Sequence, residues 1–156
     1  MPRMSNVELL RQREQPILGI KVKTNLGELP SIIGRSFARM AAYLKELGEQ
    51  MTDVPFVAFP DYENMDEDNM IIQIGFPVSK KLPEKEDIKP DVIPEGKIAF
   101  CMYRGSYAEL MPVYEDIIKW VKENGFESAG ISYEYYYNGI EYPESEYLTK
   151  IVIALK

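Results

Sequence analysis

The closing stretch TKIVIALK, Thr149–Lys156, reads as a strand, and it has a counterpart in IIQIGFPV, Ile71–Val78. Both are nearly unbroken apolar runs of strand length, bounded by polar segments rich in turn-forming residues. The order of elements before each is the same: a helical stretch, a short strand, an irregular acidic segment, then the apolar strand. Gly27 opens the first helical stretch and Gly48 ends it; Gly105 and Gly125 do the same in the second half. Each copy alone would leave a sheet face unburied, so two copies packed together are the economical solution. The expected fold is a soluble α+β domain of two β-α-β-β units, with an antiparallel sheet, a pseudo-twofold axis and the helices on one face. One domain should cover residues 1–156, with repeat units at about 7–78 and 97–156 and a connector at 79–96.

Both helices show in the spacing. Leu29, Ile33, Phe37, Met40, Ala41 and Leu44 recur at three and four residues, as do Leu110, Val113, Tyr114, Ile117 and Val121. Pro30 suits a first helical turn, and Gly48 and Gly125 suit C-terminal stops. Ser106 and Glu109 have capping-box spacing, predicting a start near Tyr107, whereas Pro112 argues for one nearer Met111. Strands are expected over Val7–Thr24 (interrupted at Pro16), Val54–Phe59, Met70–Val78, Lys97–Arg104, Ile131–Tyr137 and Leu148–Leu155. The proline- and charge-rich SKKLPEKEDIKPDVIPEG, 79–96, reads as the connector.

Composition excludes several function classes. The chain has no histidine, which removes His-based triads, His-ligated zinc and imidazole acid–base chemistry. A formal net charge of −7 with scattered lysines and arginines argues against direct nucleic-acid binding. No apolar stretch is long enough to cross a bilayer, and the single cysteine, Cys101, fits a reducing cytoplasm. No glycine-rich phosphate loop, CxxC or serine nucleophile elbow is present, and no metal or cofactor is expected. The acidic run DYENMDED, 61–68, lacks EF-hand spacing and reads as a solvated loop.

The aromatic residues are uneven. Nine of the eleven tyrosines lie from Tyr103 onward, and Tyr133–Tyr137 read YEYYY. Tyrosines are good strand formers and also good walls for planar ligands. Glu134 interrupts this uncharged strand on the side shared by Ser132 and Tyr136. It faces either water or a cavity, and a buried carboxylate needs donors or a cation to meet it. Its counterpart in the first half, Val57–Ala58, has no acid. Lys150 on the following strand would neutralise Glu134 if the two met, and Gln73 occupies its counterpart position. Glu144 and Glu146 sit in the turn YPESEY, where acids are usually solvated.

YRGSYAELMPVYEDIIKWVKENG (103–125), SYEYYYN (132–138) and YPESEYLTKIVIAL (142–155) together resemble the GyrI-like family. LGELPSIIGRSFARMAAYL (26–44) and IGFPV (74–78) extend the resemblance to almost the whole chain. The family covers gyrase-inhibitory proteins and the effector-binding domains of AraC-type and MerR-type transcription activators. The resemblance implies a ligand cavity along the pseudo-twofold axis. Glu134 is similar in position to a buried glutamate that meets lipophilic cations in the multidrug-responsive members. Tyr147 looks like a cavity-lining tyrosine, and Tyr107, from the G-x-Y motif, is a weaker match whose other reading is helix packing. Two departures stand out: Gln73 and Lys150 replace acids of many relatives, and the chain carries no helix-turn-helix segment. Some relatives hydrolyse strained natural products; the resemblance does not assign their catalytic residues to positions of this sequence.

The preferred expectation is a stand-alone binding protein for a small aromatic or lipophilic, cationic molecule. Glu134 supplies charge, Tyr136, Tyr147 and Tyr107 supply walls, and Lys150, Gln73 and Glu146 modulate the site. Two other readings stay open: a small hydrolase using Glu134 with a tyrosine, and a gyrase-inhibitor-type module acting on a protein partner.

Overall fold

The computed structural model describes residues 3–156. In chain order the strands and helices are β1 (Arg3–Met4), β2 (Glu8–Gln12), β3 (Gln15–Thr24), α1 (Leu29–Leu47), β4 (Phe56–Phe59), β5 (Met70–Pro77), β6 (Lys89–Ile93), β7 (Gly96–Arg104), α2 (Leu110–Glu123), β8 (Ser128–Tyr136) and β9 (Leu148–Leu155). All the strand pairs described below are antiparallel, and the fold class is α+β, as expected. Residues through Arg13 join Glu95–Lys156 in one unit, and Glu14–Pro94 form the other. Each contains the order strand, helix, strand, strand.

In the Glu14–Pro94 unit, β5 lies between β4 and β3, and β6 adds to the far edge of β3. Helix α1 buries Ser36, Met40, Tyr43 and Leu44. It ends where Gly48 turns into the left-handed region at φ 71°, which a side chain would resist. The Gly48 amide donates to the Lys45 carbonyl and the Glu49 amide to the Leu44 carbonyl, closing the last turn. The other helix ends in the same way: Gly125 donates to Lys122 and Phe126 to Val121.

In the second unit, β7 carries β1 and β2 on one edge and β9 on the other, and β8 pairs with β9 on its far side. Helix α2 buries Val113, Ile117 and Val121, one stripe of the predicted periodicity. Tyr103, on β7, is fully buried and donates its hydroxyl to the Ser106 carbonyl at 2.6 Å. Gly105 makes this possible. A Cβ there would lie 2.5 Å from the Tyr103 hydroxyl oxygen.

The structure differs from the sequence reading at three points. The expected Val7–Thr24 strand is two strands divided at Arg13–Glu14, with Pro16 inside β3 opposite Val92; β2 pairs instead with β7 of the second half. The connector contains a strand, β6, which pairs along the edge of β3. Finally, Ser106 makes no side-chain cap: a single 3-10 turn, Tyr107–Glu109, leads into α2. Pro112 is then the third residue of α2, where the missing N–H has no intrahelical acceptor to lose.

Gly105→Ala should lower unfolding stability by about 1–3 kcal/mol through overpacking against Tyr103. Urea denaturation of the purified variant measures this; an unchanged midpoint would contradict the close approach.

Candidate functional site

Glu134 lies in β8 directly opposite Ile151 of β9, so its side chain leaves the sheet on the same face as Ser132 and Tyr136. It is 7% exposed. Two hydroxyls meet its carboxylate. Tyr114, from α2, donates to Oε2 at 2.7 Å, and Tyr136, two residues along the strand, donates to Oε1 at 3.0 Å. Ser132 Oγ, fully buried, lies 3.2 Å from the Tyr114 hydroxyl, within hydrogen-bond distance. Among the described residues no lysine or arginine pairs with Glu134.

An aromatic cluster covers this polar group. The Tyr107 ring stacks on Tyr147 with centroids 5.1 Å apart and meets Tyr136 edge-on at 5.6 Å. Tyr147 is 9% exposed while Tyr107 is 43% exposed, so Tyr107 forms the outer layer. The turn YPESEY is clamped from several sides. Arg104 and Asn138 both donate to the Glu146 carbonyl, at 3.1 and 2.9 Å, and Arg3 donates to the Ser145 carbonyl at 2.9 Å. The Gly105 amide donates to the Tyr147 carbonyl. These bonds fix the backbone from which Tyr147 projects.

The electrostatics follow from burial. Removal from water raises Glu134 above the ordinary carboxylate value, and the Tyr114 and Tyr136 hydroxyls oppose that rise without cancelling it. Tyr136 is pushed well above 10 by burial and by the neighbouring Glu134. Tyr107 is pushed up to about 12 by burial, with Tyr147 and Glu134 adding to it. Tyr136 and Tyr107 therefore remain donors at neutral pH.

Of the predicted residues, Glu134, Tyr136, Tyr147 and Tyr107 come together. Lys150 does not join them. The register places it opposite Tyr135, on the other face of the strand pair, with its ammonium 4.4 Å from the centre of that ring. Gln73 belongs to the other unit, where its amide donates to Asp91 at 2.9 Å. Glu146 pairs with Arg3 and Arg104, at 3.3 and 3.4 Å, and so holds the turn instead of facing Glu134. Sequence reasoning missed Tyr114, placing it in the apolar stripe of α2. Its hydroxyl was the available signal, since a half-buried tyrosine on a core face usually finds a hydrogen-bond partner.

The family model of a GyrI-like small molecule binding domain matches residues 5–156. No curated protein sequence matches the chain. Among solved structures, the EcmrR C-terminal domain superposes with a TM-score of 0.80 at 21% identity, covering 97% of each chain. EcmrR in its complex with DNA gives 0.83 at 19% identity. That match covers 97% of this chain and spans 57% of the EcmrR chain. A hydrolase from Listeria innocua gives 0.73 at 12% identity, over 96% of this chain and 91% of that one. SAV2435 bound to tetraphenylphosphonium gives 0.60 at 13% identity, over 97% and 94%. Identities this low speak to the fold alone. No helix of the described residues is long and apolar enough to cross a membrane.

Because the folded protein holds the Glu134 proton more tightly than the unfolded chain, its contribution to stability is complete below the ordinary glutamate value of 4.5. It is lost as pH rises through the raised folded value, by at most about 1.4 kcal/mol per pH unit. Glu134→Gln should therefore melt higher than wild type at neutral pH, with the gap closing toward pH 4.5 and below. Calorimetric melting across pH checks this; a variant that melts lower at neutral pH would contradict it.

Proposed function

The chain belongs to the GyrI-like small-molecule-binding domain family, and we propose that it binds a planar or lipophilic aromatic cation at Glu134. The observation that carries this reading is a 7% exposed carboxylate that two tyrosine hydroxyls meet and no cationic side chain neutralises. A guest cation would supply the missing charge. The tyrosine rings would supply apolar area and negative ring faces, which suit the same class of guest. That SAV2435, which has this fold, is bound to tetraphenylphosphonium in its solved structure supports the choice of a lipophilic cation. The likeness to the EcmrR C-terminal domain supports a role as an effector-sensing part in transcription regulation.

We further read the two units as divergent copies of one motif. Glu134 stands opposite Ile151 as Val57 stands opposite Ile74, and both helices end in the same hydrogen-bond pattern at Gly48 and Gly125. With these as anchors, Phe37, Val57 and Phe59 correspond to Tyr114, Glu134 and Tyr136. Every polar member of the cluster is apolar in the first copy, where Phe37 instead packs on Phe76 at 5.6 Å. The cation site accordingly belongs to the second copy alone.

Calorimetric titration with N-methylacridinium, a planar cation, should give saturable binding to wild type that strengthens as pH rises through the raised Glu134 value. Glu134→Gln should weaken it about tenfold or more, since a charge-assisted contact is lost. Neutral acridine should bind both proteins alike. Equal binding of the cation by the two proteins would remove the charge reading. Recovery of the probe chemically changed would favour a hydrolase over a receptor.

A further inference from the structure

The buried side-chain oxygen left without a hydrogen-bond partner among the described residues is Thr149 Oγ1. Thr149 is fully buried in β9. Its register places it opposite Tyr136 of β8 on one side and Tyr103 of β7 on the other. Directly opposed residues in antiparallel strands send their side chains to the same face, roughly 5 Å apart at Cβ. Thr149 therefore points to the face that carries Tyr136, Glu134 and Ser132, and Tyr147, two residues before it, points there as well.

The neighbours have already used their protons. Of the two residues directly opposite, Tyr136 donates to Glu134 and Tyr103 donates to the Ser106 carbonyl. None is left over for Thr149. A hydroxyl buried unmet beside a satisfied cluster is a liability in the free protein. A valine of the same shape would pack there without it, so what the hydroxyl contributes must lie in another state of the protein.

We propose that the Thr149 hydroxyl is a ligand-binding group that reads a hydrogen-bonding substituent on the aromatic cation held at Glu134. This rests on the cation reading of the site and adds a specificity to it. Glu134 selects for charge. Thr149, on the next strand and diagonal to Glu134 at roughly 7–8 Å, selects for an amine, amide or hydroxyl set off from the charged centre. The preferred guest is then an amino- or hydroxy-substituted aromatic cation, and not a cation with a wholly apolar surface.

Two acridinium probes separate the contributions: proflavine carries exocyclic amines, and N-methylacridinium carries the same ring system and charge with no N–H. Wild type should bind proflavine the more tightly. Thr149→Val should lower proflavine affinity about tenfold, the size of one good hydrogen bond, and leave N-methylacridinium within about twofold. Thr149→Ser, which keeps the hydroxyl, should keep the preference for proflavine. Thr149→Val should also melt higher than wild type with no probe present. If wild type and Thr149→Val show the same preference between probes, the inference is overturned while the cation reading stands. It is overturned equally if Thr149→Val weakens both probes to the same extent, as loss of a bridging water or a packing defect would. If wild type binds neither probe, the cation reading falls and this inference falls with it.

Discussion

Burying Glu134 is the constraint on which the rest of the second unit depends. An ionised carboxylate taken out of water costs several kcal/mol unless donors or a counter-charge replace its hydration. Here two tyrosine hydroxyls do part of that, one from helix α2 and one from β8 itself. Hydrogen bonds to a charged group contribute about 1.5–3 kcal/mol each, which offsets burial without removing it. The balance leaves a carboxyl that holds its proton more tightly than an exposed glutamate does. A fully satisfied ion pair would have no use for a guest, and an exposed glutamate would have little selectivity.

The surrounding structure holds this balance in place. Tyr114 reaches Glu134 because α2 packs through Val113, Ile117 and Val121, which fixes the rotation of the helix. Tyr107 sits on the 3-10 turn that Gly105 and Tyr103 set up just before α2. Tyr147 is held by the bonds that Arg104, Asn138, Arg3 and Gly105 make to the turn preceding β9. Glu146 serves this clamp through its carbonyl and its ion pairs. Two acids twelve residues apart in sequence thus have opposite fates. Glu134 is buried by its strand face, and Glu146 stays half-exposed where solvent and two guanidiniums share it.

Much of this was legible in the residues. Gly48 and Gly125 stop the helices where their spacing said they would, because only glycine takes the left-handed turn cheaply. The second-half strands appear close to their expected limits because their apolar runs are long. Period-two alternation put Glu134 and Tyr136 on one side. What alternation could not supply is pairing register, and register decided Lys150: one step along β9 puts it opposite Tyr135 and away from Glu134. Nor could local pattern reveal contacts made across elements. Tyr114 meets Glu134 over twenty residues of sequence, and β2 pairs with β7 almost ninety residues away, so neither leaves a local mark. The orphaned Thr149 hydroxyl was hidden for the same reason, inside a run that reads simply as apolar strand.

The most direct measurement is the carboxyl carbon shift of Glu134 in labelled protein, assigned by its loss in Glu134→Gln and followed across pH with and without N-methylacridinium. The account predicts titration above 4.5 in the free protein and a fall in that value, with the carboxylate ionised, once the cation is bound. Titration at or below 4.5 in the free protein, unmoved by the cation, would contradict it.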